Sequence, residues 1–215
     1  MNEFLWQAFV TLLVIIDPFA VVPMFVGLTR NDTVINKRKT ALKACVIGTI
    51  ILLLFAFLGD KLLDIMSISE PAFRIAGGFL LLLAAIDMVI AKSHSGMVST
   101  TSDEDEESDT RDDVSVFPLA IPMIAGPGAL TSLVVLMRQA EAQSNFMTAG
   151  VIIILLIILI LTYISLLLGD YLMKALGVTG TNVLTRVFGI ILSALAIQHI
   201  INGITILIKS AMTAA

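Results

Sequence analysis

The chain has 215 residues, of which 58% are hydrophobic and 14% charged, and its formal net charge is −4 at pH 7. A soluble domain is nearer to roughly half apolar and a quarter charged, so this composition excludes a soluble globular protein and predicts an integral membrane protein. The single cysteine, Cys45, excludes an internal disulfide and a paired-cysteine redox motif.

Six apolar runs are long enough to cross a bilayer, which takes roughly 20 residues. They predict an all-α membrane protein with spans at 4–28, 42–59, 73–91, 115–137, 147–168 and 186–208. The spans use most of the chain, and it contains no zinc-protease, serine-hydrolase or nucleotide-binding motif. We therefore expect no enzymatic activity, no cofactor and no nucleic-acid partner, with the lipid bilayer as the surroundings.

The first span is interrupted by a carboxylate beside a proline, Asp17-Pro18, followed by Phe19 and Ala20. A charge at mid-membrane costs at least ~2.5–3.5 kcal/mol, and proline disfavours helix both at its own position and at the residue before it. We expect a broken helix, with Asp17 as the N-cap of a second half-helix and Pro18 as its first residue. The alternative is a kink that serves packing, with Asp17 capped and silent.

The loop after the first span is strongly basic. Residues 30–39 contain Arg30, Lys37, Arg38 and Lys39, and Lys43 follows shortly after. Short cytoplasmic loops carry an excess of lysine and arginine, so this loop is predicted to be cytoplasmic and both chain termini periplasmic.

An aspartate ends the second and fifth spans, and an arginine begins the third and sixth. The helix dipole disfavours a cation at a helix N-terminus, so each arginine should have an acidic partner nearby. We predict the ion pairs Asp60–Arg74 and Asp170–Arg186, acting as gates or structural pins. The alternative is that both arginines extend to the membrane interface without a partner.

Residues 92–114 separate two halves of three spans each, 1–91 and 115–215. The centre of this stretch, 103–109, is almost entirely acidic and cannot bury apolar surface, so we predict a disordered cytoplasmic linker. Cation binding or docking of a partner protein is the alternative role.

The fourth span is interrupted by Gly126-Pro127-Gly128, with Thr131 one turn later. Irregular backbone at membrane depth survives only where it is buried in protein or lines a cavity. Interrupted spans at matching positions of two halves indicate the binding site of a transporter. Thr131 is therefore a further candidate for that site.

The two halves also repeat each other. The proline of each break, a Leu-Gly-Asp triplet and the arginines recur at spacings of 109 to 112 residues. Because each half has an odd number of spans, the halves should have opposite orientations. We predict two inverted three-helix repeats with broken first and fourth helices, related by a pseudo-twofold axis in the membrane plane.

The sixth span carries a polar face formed by Gln198, His199 and Asn202. The amide side chains are expected to hydrogen-bond neighbouring helices. Asp87 occupies the position in the first half that matches His199. Either residue could relay protons, although solvation at the membrane interface is the simpler interpretation.

The two breaks together suit a small zwitterion. Free N–H groups at a half-helix N-terminus attract a carboxylate. Unpaired carbonyl groups and the Asp17 carboxylate would hold an ammonium group. The candidate substrate-binding residues are Asp17, Pro18, Phe19, Ala20, Gly126, Pro127, Gly128 and Thr131. With no nucleotide site, transport would be driven by a proton or sodium gradient.

The chain resembles the MarC family of inner-membrane proteins. The resemblance is carried by Asp17-Pro18 with Pro23, by Arg74-Ile75-Ala76-Gly77-Gly78, by residues 118–129 and by Asn182 to Arg186. Ala20 departs from the glycine that the family usually has there, which would narrow the cavity or shift the backbone. The resemblance implies six spans, periplasmic termini and, for some members, transport of small neutral amino acids such as alanine or glycine. A channel or solute exporter, or a scaffold without a substrate, is the alternative, and a homo-oligomer is an open question.

Overall fold

The computed structural model describes residues 2–90 and 113–214, which are helical with no strand among them. The helices are α1 (Asn2–Ile16), α2 (Val21–Leu28), α3 (Val34–Ile65), α4 (Glu70–Ile90), α5 (Pro127–Glu141), α6 (Asn145–Leu167) and α7 (Gly169–Ala214). An irregular helical segment, Ser115–Ile124, precedes α5 and is called the proline segment because it contains Pro118 and Pro122. The predicted acidic linker lies outside the described residues, apart from Asp113 and Val114.

Within the described ranges, five helical stretches are long and apolar enough to cross a membrane. The proline segment and α5 form a bent pair that makes a sixth span if the two are counted together. The structure thus has the predicted helical architecture, and it has five of the six predicted spans, or all six if the bent pair counts as one span. The inverted relation between the two halves stays a prediction.

Two helices extend well beyond their predicted spans. α3 begins at Val34, inside the basic loop, because the Thr33 hydroxyl accepts the Asn36 N–H at 3.3 Å and caps the helix. α7 begins at Gly169 and turns at Gly177, whose φ of +63° lies in the left-handed region that suits glycine. Arg186 therefore lies inside a helix, and the prediction that it begins one is wrong.

The bundle has two ends, which side-chain contacts define. At the end that carries the basic loop, called the basic end, Lys37 contacts Asp170 at 2.9 Å and Lys43 contacts Asp113. The hydrogen bond from the Lys43 ammonium, with a second from the Ser115 hydroxyl, holds the pKa of Asp113 below its usual value. At the opposite end, the Arg138 guanidinium lies 3.2 Å from the Asp60 carboxylate.

The core of the bundle surrounds α5. Its side chains are buried almost continuously from Gly128 to Met137, and they pack against α1, α3, α4 and α6. α4 and α7 form the most extensive helix pair and run antiparallel, with Gly78 against Ile200 near the middle. Small residues permit this close approach, which drives helix association where lipid supplies no hydrophobic force.

A cavity at the two helix breaks

The first break lies at Asp17–Ala20, between α1 and α2. Asp17 has a φ of +40°, an uncommon conformation for a residue with a side chain. Its carboxylate Oδ1 accepts the Ala20 N–H at 3.2 Å, and its carbonyl oxygen accepts the same N–H at 3.1 Å. The break is where the sequence places it, but α2 starts at Val21. Asp17 therefore closes a separate turn instead of capping α2, and Pro18 is not the first helical residue.

The Asp17 carboxylate is buried with one oxygen unpaired. The residue is 5% exposed, and Oδ2 has no hydrogen-bond partner among the described residues. Burying a carboxylate oxygen without a partner costs free energy, so such an atom in a folded protein requires an explanation. A ligand that donates hydrogen bonds to Oδ2 would supply one.

The second break lies at Ala125–Gly126, where the proline segment meets α5 at an angle of 50°. Gly126 is extended and Pro127 stands in the first turn of α5, with no side chain capping this N-terminus. A Cβ atom on Gly126 would lie 2.4 Å from the Pro122 carbonyl oxygen, so only glycine fits. The first-turn N–H groups of Gly128 and Ala129 have no acceptor within the helix.

The two breaks line one cavity of about 790 Å³. Asp17 and Ala20 contribute from the first break, and Gly126, Pro127 and Gly128 from the second. The second half of α4 forms another wall that extends to Asp87 and Ile90, so the cavity extends toward the basic end. The walls are mainly apolar. The other lining residues are Ile15, Ile16, Val21, Leu80, Leu81, Leu83, Ala84, Ile86, Met88, Pro122, Met123, Ala129 and Leu192.

Three of the predicted binding residues lie outside this lining. The Phe19 ring stacks on Phe188 of α7, with ring centroids 6.4 Å apart, next to a second, very small cavity. The Thr131 hydroxyl donates to the Pro127 carbonyl at 2.8 Å, and its methyl group faces Gly77 of α4. Pro18 does not border the cavity either, so its contribution is to the backbone.

The predicted ion pairs are wrong in their partners. Arg74 contacts Glu70, one turn earlier on α4, at 2.6 Å, while Asp60 contacts Arg138 of α5. Arg138 also approaches Glu70 at 3.6 Å. We call Asp60, Glu70, Arg74 and Arg138 the Arg138 cluster. The second predicted pair fails because Asp170 contacts Lys37 instead.

Arg186 is exposed, and no ion pair to it is found within residues 2–90 and 113–214. The polar face of α7 also differs from expectation. The Gln198 amide donates to Asn202 of the same helix at 2.9 Å, and Gln198 is exposed while Asn202 is half-buried. His199 is partly buried, and its Nδ1 has no hydrogen-bond partner in the described part of the chain. None of these residues borders the cavity.

The cavity walls were missed by sequence reasoning. Leu81 and Leu192, for example, are apolar helix residues that no motif distinguishes from ordinary packing residues. Only the glycine at 128, against which Leu81 packs closely, gave a local signal of close approach.

A bundle of membrane-spanning helices in which two broken helices line one partly open cavity defines a multi-pass integral membrane protein with a ligand-sized site. The chain belongs to the MarC family of integral membrane proteins, whose family model matches residues 2–208.

Relatives match more than nine-tenths of the chain. A UPF0056 membrane protein of Methanocaldococcus jannaschii is 37% identical over 202 residues, covering 92% of this chain and 94% of the relative. The UPF0056 membrane protein YhcE of Escherichia coli is 33% identical over 199 residues, covering 93% and 91%. One from Aquifex aeolicus is 34% identical over 208 residues, covering 94% and 93%. No solved structure matches the chain.

Proposed function

We propose that the protein is a secondary transporter of small neutral amino acids, such as alanine or glycine, that works by alternating access. The observation that carries this proposal is the position of two opposite binding elements in one cavity. Asp17, a buried carboxylate with the unpaired oxygen Oδ2, and the uncapped N-terminus of α5 both border this cavity.

Each element suits one charged group of a zwitterion. The ammonium group of an amino acid can donate to Asp17 Oδ2 in a charge-assisted hydrogen bond. Its carboxylate can accept from the N–H groups at the start of α5, where the helix dipole favours negative charge. A substrate with only one charge would leave one element unpaired, so the pair favours zwitterions.

The shape of the cavity supports transport over a channel. It extends toward the basic end, whereas α5 is packed on all sides between the cavity and the opposite end. An open channel would need a continuous path. We place the basic end in the cytoplasm by the positive-inside rule, which puts both termini outside the plasma membrane, the inner membrane in a bacterium.

Flux measured in proteoliposomes tests this proposal. Purified protein should catalyse saturable exchange of radiolabelled alanine, inhibited by unlabelled alanine or glycine and absent from protein-free liposomes. Imposing a proton or a sodium gradient separately should identify the coupling ion.

Two outcomes would contradict it. Ion flux that does not saturate and is unaffected by amino acids would indicate a channel. Neither flux nor binding across a panel of amino acids, in protein that is folded and inserted, would favour a scaffold without a substrate.

A further inference from the structure

α5, with the helices packed around it, lies between the cavity and the opposite end of the bundle. Its N-terminus borders the cavity, and Arg138 lies about 18 Å further along the axis at a rise of about 1.5 Å per residue. The residues between are almost all buried. A movement of α5 would open a path along this buried length to the opposite end.

The contacts of α5 with α3 and α4 are close but apolar. A Cβ atom on Gly59 would lie 2.4 Å from Val134 Cγ2, and one on Gly77 would lie 2.0 Å from Thr131 Cγ2. The Thr131 hydroxyl is already satisfied by Pro127 of the same helix. α5 can therefore separate from its neighbours without leaving that polar group unpaired.

The polar connection lies at the far end, in the Arg138 cluster. The Arg138 guanidinium reaches Asp60 of α3 at 3.2 Å and Glu70 of α4 at 3.6 Å, and Glu70 also holds Arg74 at 2.6 Å. The Arg138 side chain is 38% exposed and Asp60 is 35% exposed. Ion pairs with this exposure exchange with water at low cost, which suits a contact that must form and break repeatedly.

α5 also has a short connection at each end. Gly126 joins it to the proline segment at the 50° bend, and a short turn at Ala142–Ser144 joins it to α6. A helix with a joint at each end can move as a rigid body.

We propose that the Arg138 cluster holds α5 against α3 and α4 and so closes the cavity to the opposite face of the membrane. Opening to that face then requires the Arg138 contacts to break and α5 to swing away. This inference depends on the alternating access of the proposed function, and names the element that moves.

Accessibility of a cysteine in the cavity tests it. The parent protein carries Cys45→Ser, which removes the native thiol, and Ala20→Cys as the reporter at the first break. A membrane-impermeant thiol reagent is applied from each face, using intact spheroplasts and inside-out vesicles. The parent should react rapidly from the basic-end face and slowly from the opposite face.

Arg138→Gln and Glu70→Gln should each raise the labelling rate from the opposite face about tenfold, the factor that corresponds to ~1.4 kcal/mol. Arg138→Lys, which keeps the charge, should stay nearer to the parent. The matched control is Lys37→Gln, which breaks the ion pair at the basic end and should leave this rate unchanged.

Parent-like labelling of both glutamine variants, in protein that elutes as a single folded species, would overturn the proposal. An equal increase in Lys37→Gln would also overturn it, because it would indicate general loosening. If Arg138→Gln does not accumulate, Glu70→Gln decides between these outcomes.

The labelling result is independent of the substrate. Increased labelling without amino-acid flux in proteoliposomes would leave the role of the cluster standing and reject the amino-acid substrate. Amino-acid flux with unchanged labelling would reject the role of the cluster and leave the amino-acid substrate standing.

Discussion

Replacement of Asp17 by asparagine is expected to reduce alanine transport about 100-fold, because removing one partner of a buried charge pair costs ~2–5 kcal/mol. Asparagine has nearly the same shape, and its Oδ1 can still accept the Ala20 N–H that now bonds the carboxylate. What asparagine lacks is the negative charge with which an ammonium group would pair. The loss should be seen in the initial rate of exchange in proteoliposomes at low substrate concentration.

The same substitution should not destabilise the fold. A neutral amide is less costly to bury than a carboxylate whose Oδ2 is unpaired, so the unfolding temperature should be equal or higher. Asp87→Asn is the matched control, since Asp87 lines the same cavity but is exposed at its edge. Its effect on transport should be within about threefold, as expected for a water-screened carboxylate. Wild-type flux in Asp17→Asn would remove Asp17 from the mechanism.

The positions of the two breaks could be predicted because their causes are local. Proline removes a backbone N–H donor wherever it stands, and a carboxylate within a membrane-spanning segment is costly to expose to lipid. The details of each break were less predictable. At the first, the Asp17 side chain bonds the N–H three residues on and adds a turn before α2, whereas Gly126 and Pro127 begin α5 directly.

The partners of the ion pairs could not be predicted because they depend on tertiary structure. Sequence proximity suggested Asp60 with Arg74, but α5 brings Arg138 to Asp60 from 78 positions further along the chain. Glu70 was overlooked, although it stands one helical turn before Arg74, where a side-chain pair is expected. That spacing was a usable signal.

The size and walls of the cavity depend on how the helices pack against each other, which the hydrophobic periodicity of the sequence does not determine. Leu80 lies in the cavity wall, whereas Leu82, two positions further on, packs against a small cluster that includes Leu192 of α7. Hydrophobicity is the same in both cases. The sequence therefore predicts which backbone is irregular better than it predicts which side chains surround it.

The glycine at 77 is expected to be intolerant of even one methyl group. Gly77→Ala should lower the unfolding free energy by about 1–3 kcal/mol, the usual cost of overpacking a close contact. The added Cβ would lie 2.0 Å from Thr131 Cγ2 and 2.5 Å from Thr131 Cβ, so α5 itself must shift. Thermal unfolding of the purified protein in detergent measures this loss.

Gly27→Ala is the matched control, because a Cβ atom there meets nothing within 4 Å. Alanine is the better helix former, so this variant should be neutral or more stable by up to ~1 kcal/mol. The complementary exchange, Gly77→Ala with Thr131→Gly, should recover part of the loss, since it moves the methyl group across the same contact. If Gly77→Ala instead unfolds like Gly27→Ala, α4 and α5 are not in direct contact there.

Because α5 also carries the N-terminus that lines the cavity, a shift at Gly77 should reduce transport in the folded fraction as well. Separating that loss from the loss of stability would show that the packing of α4 against α5 sets the geometry of the site.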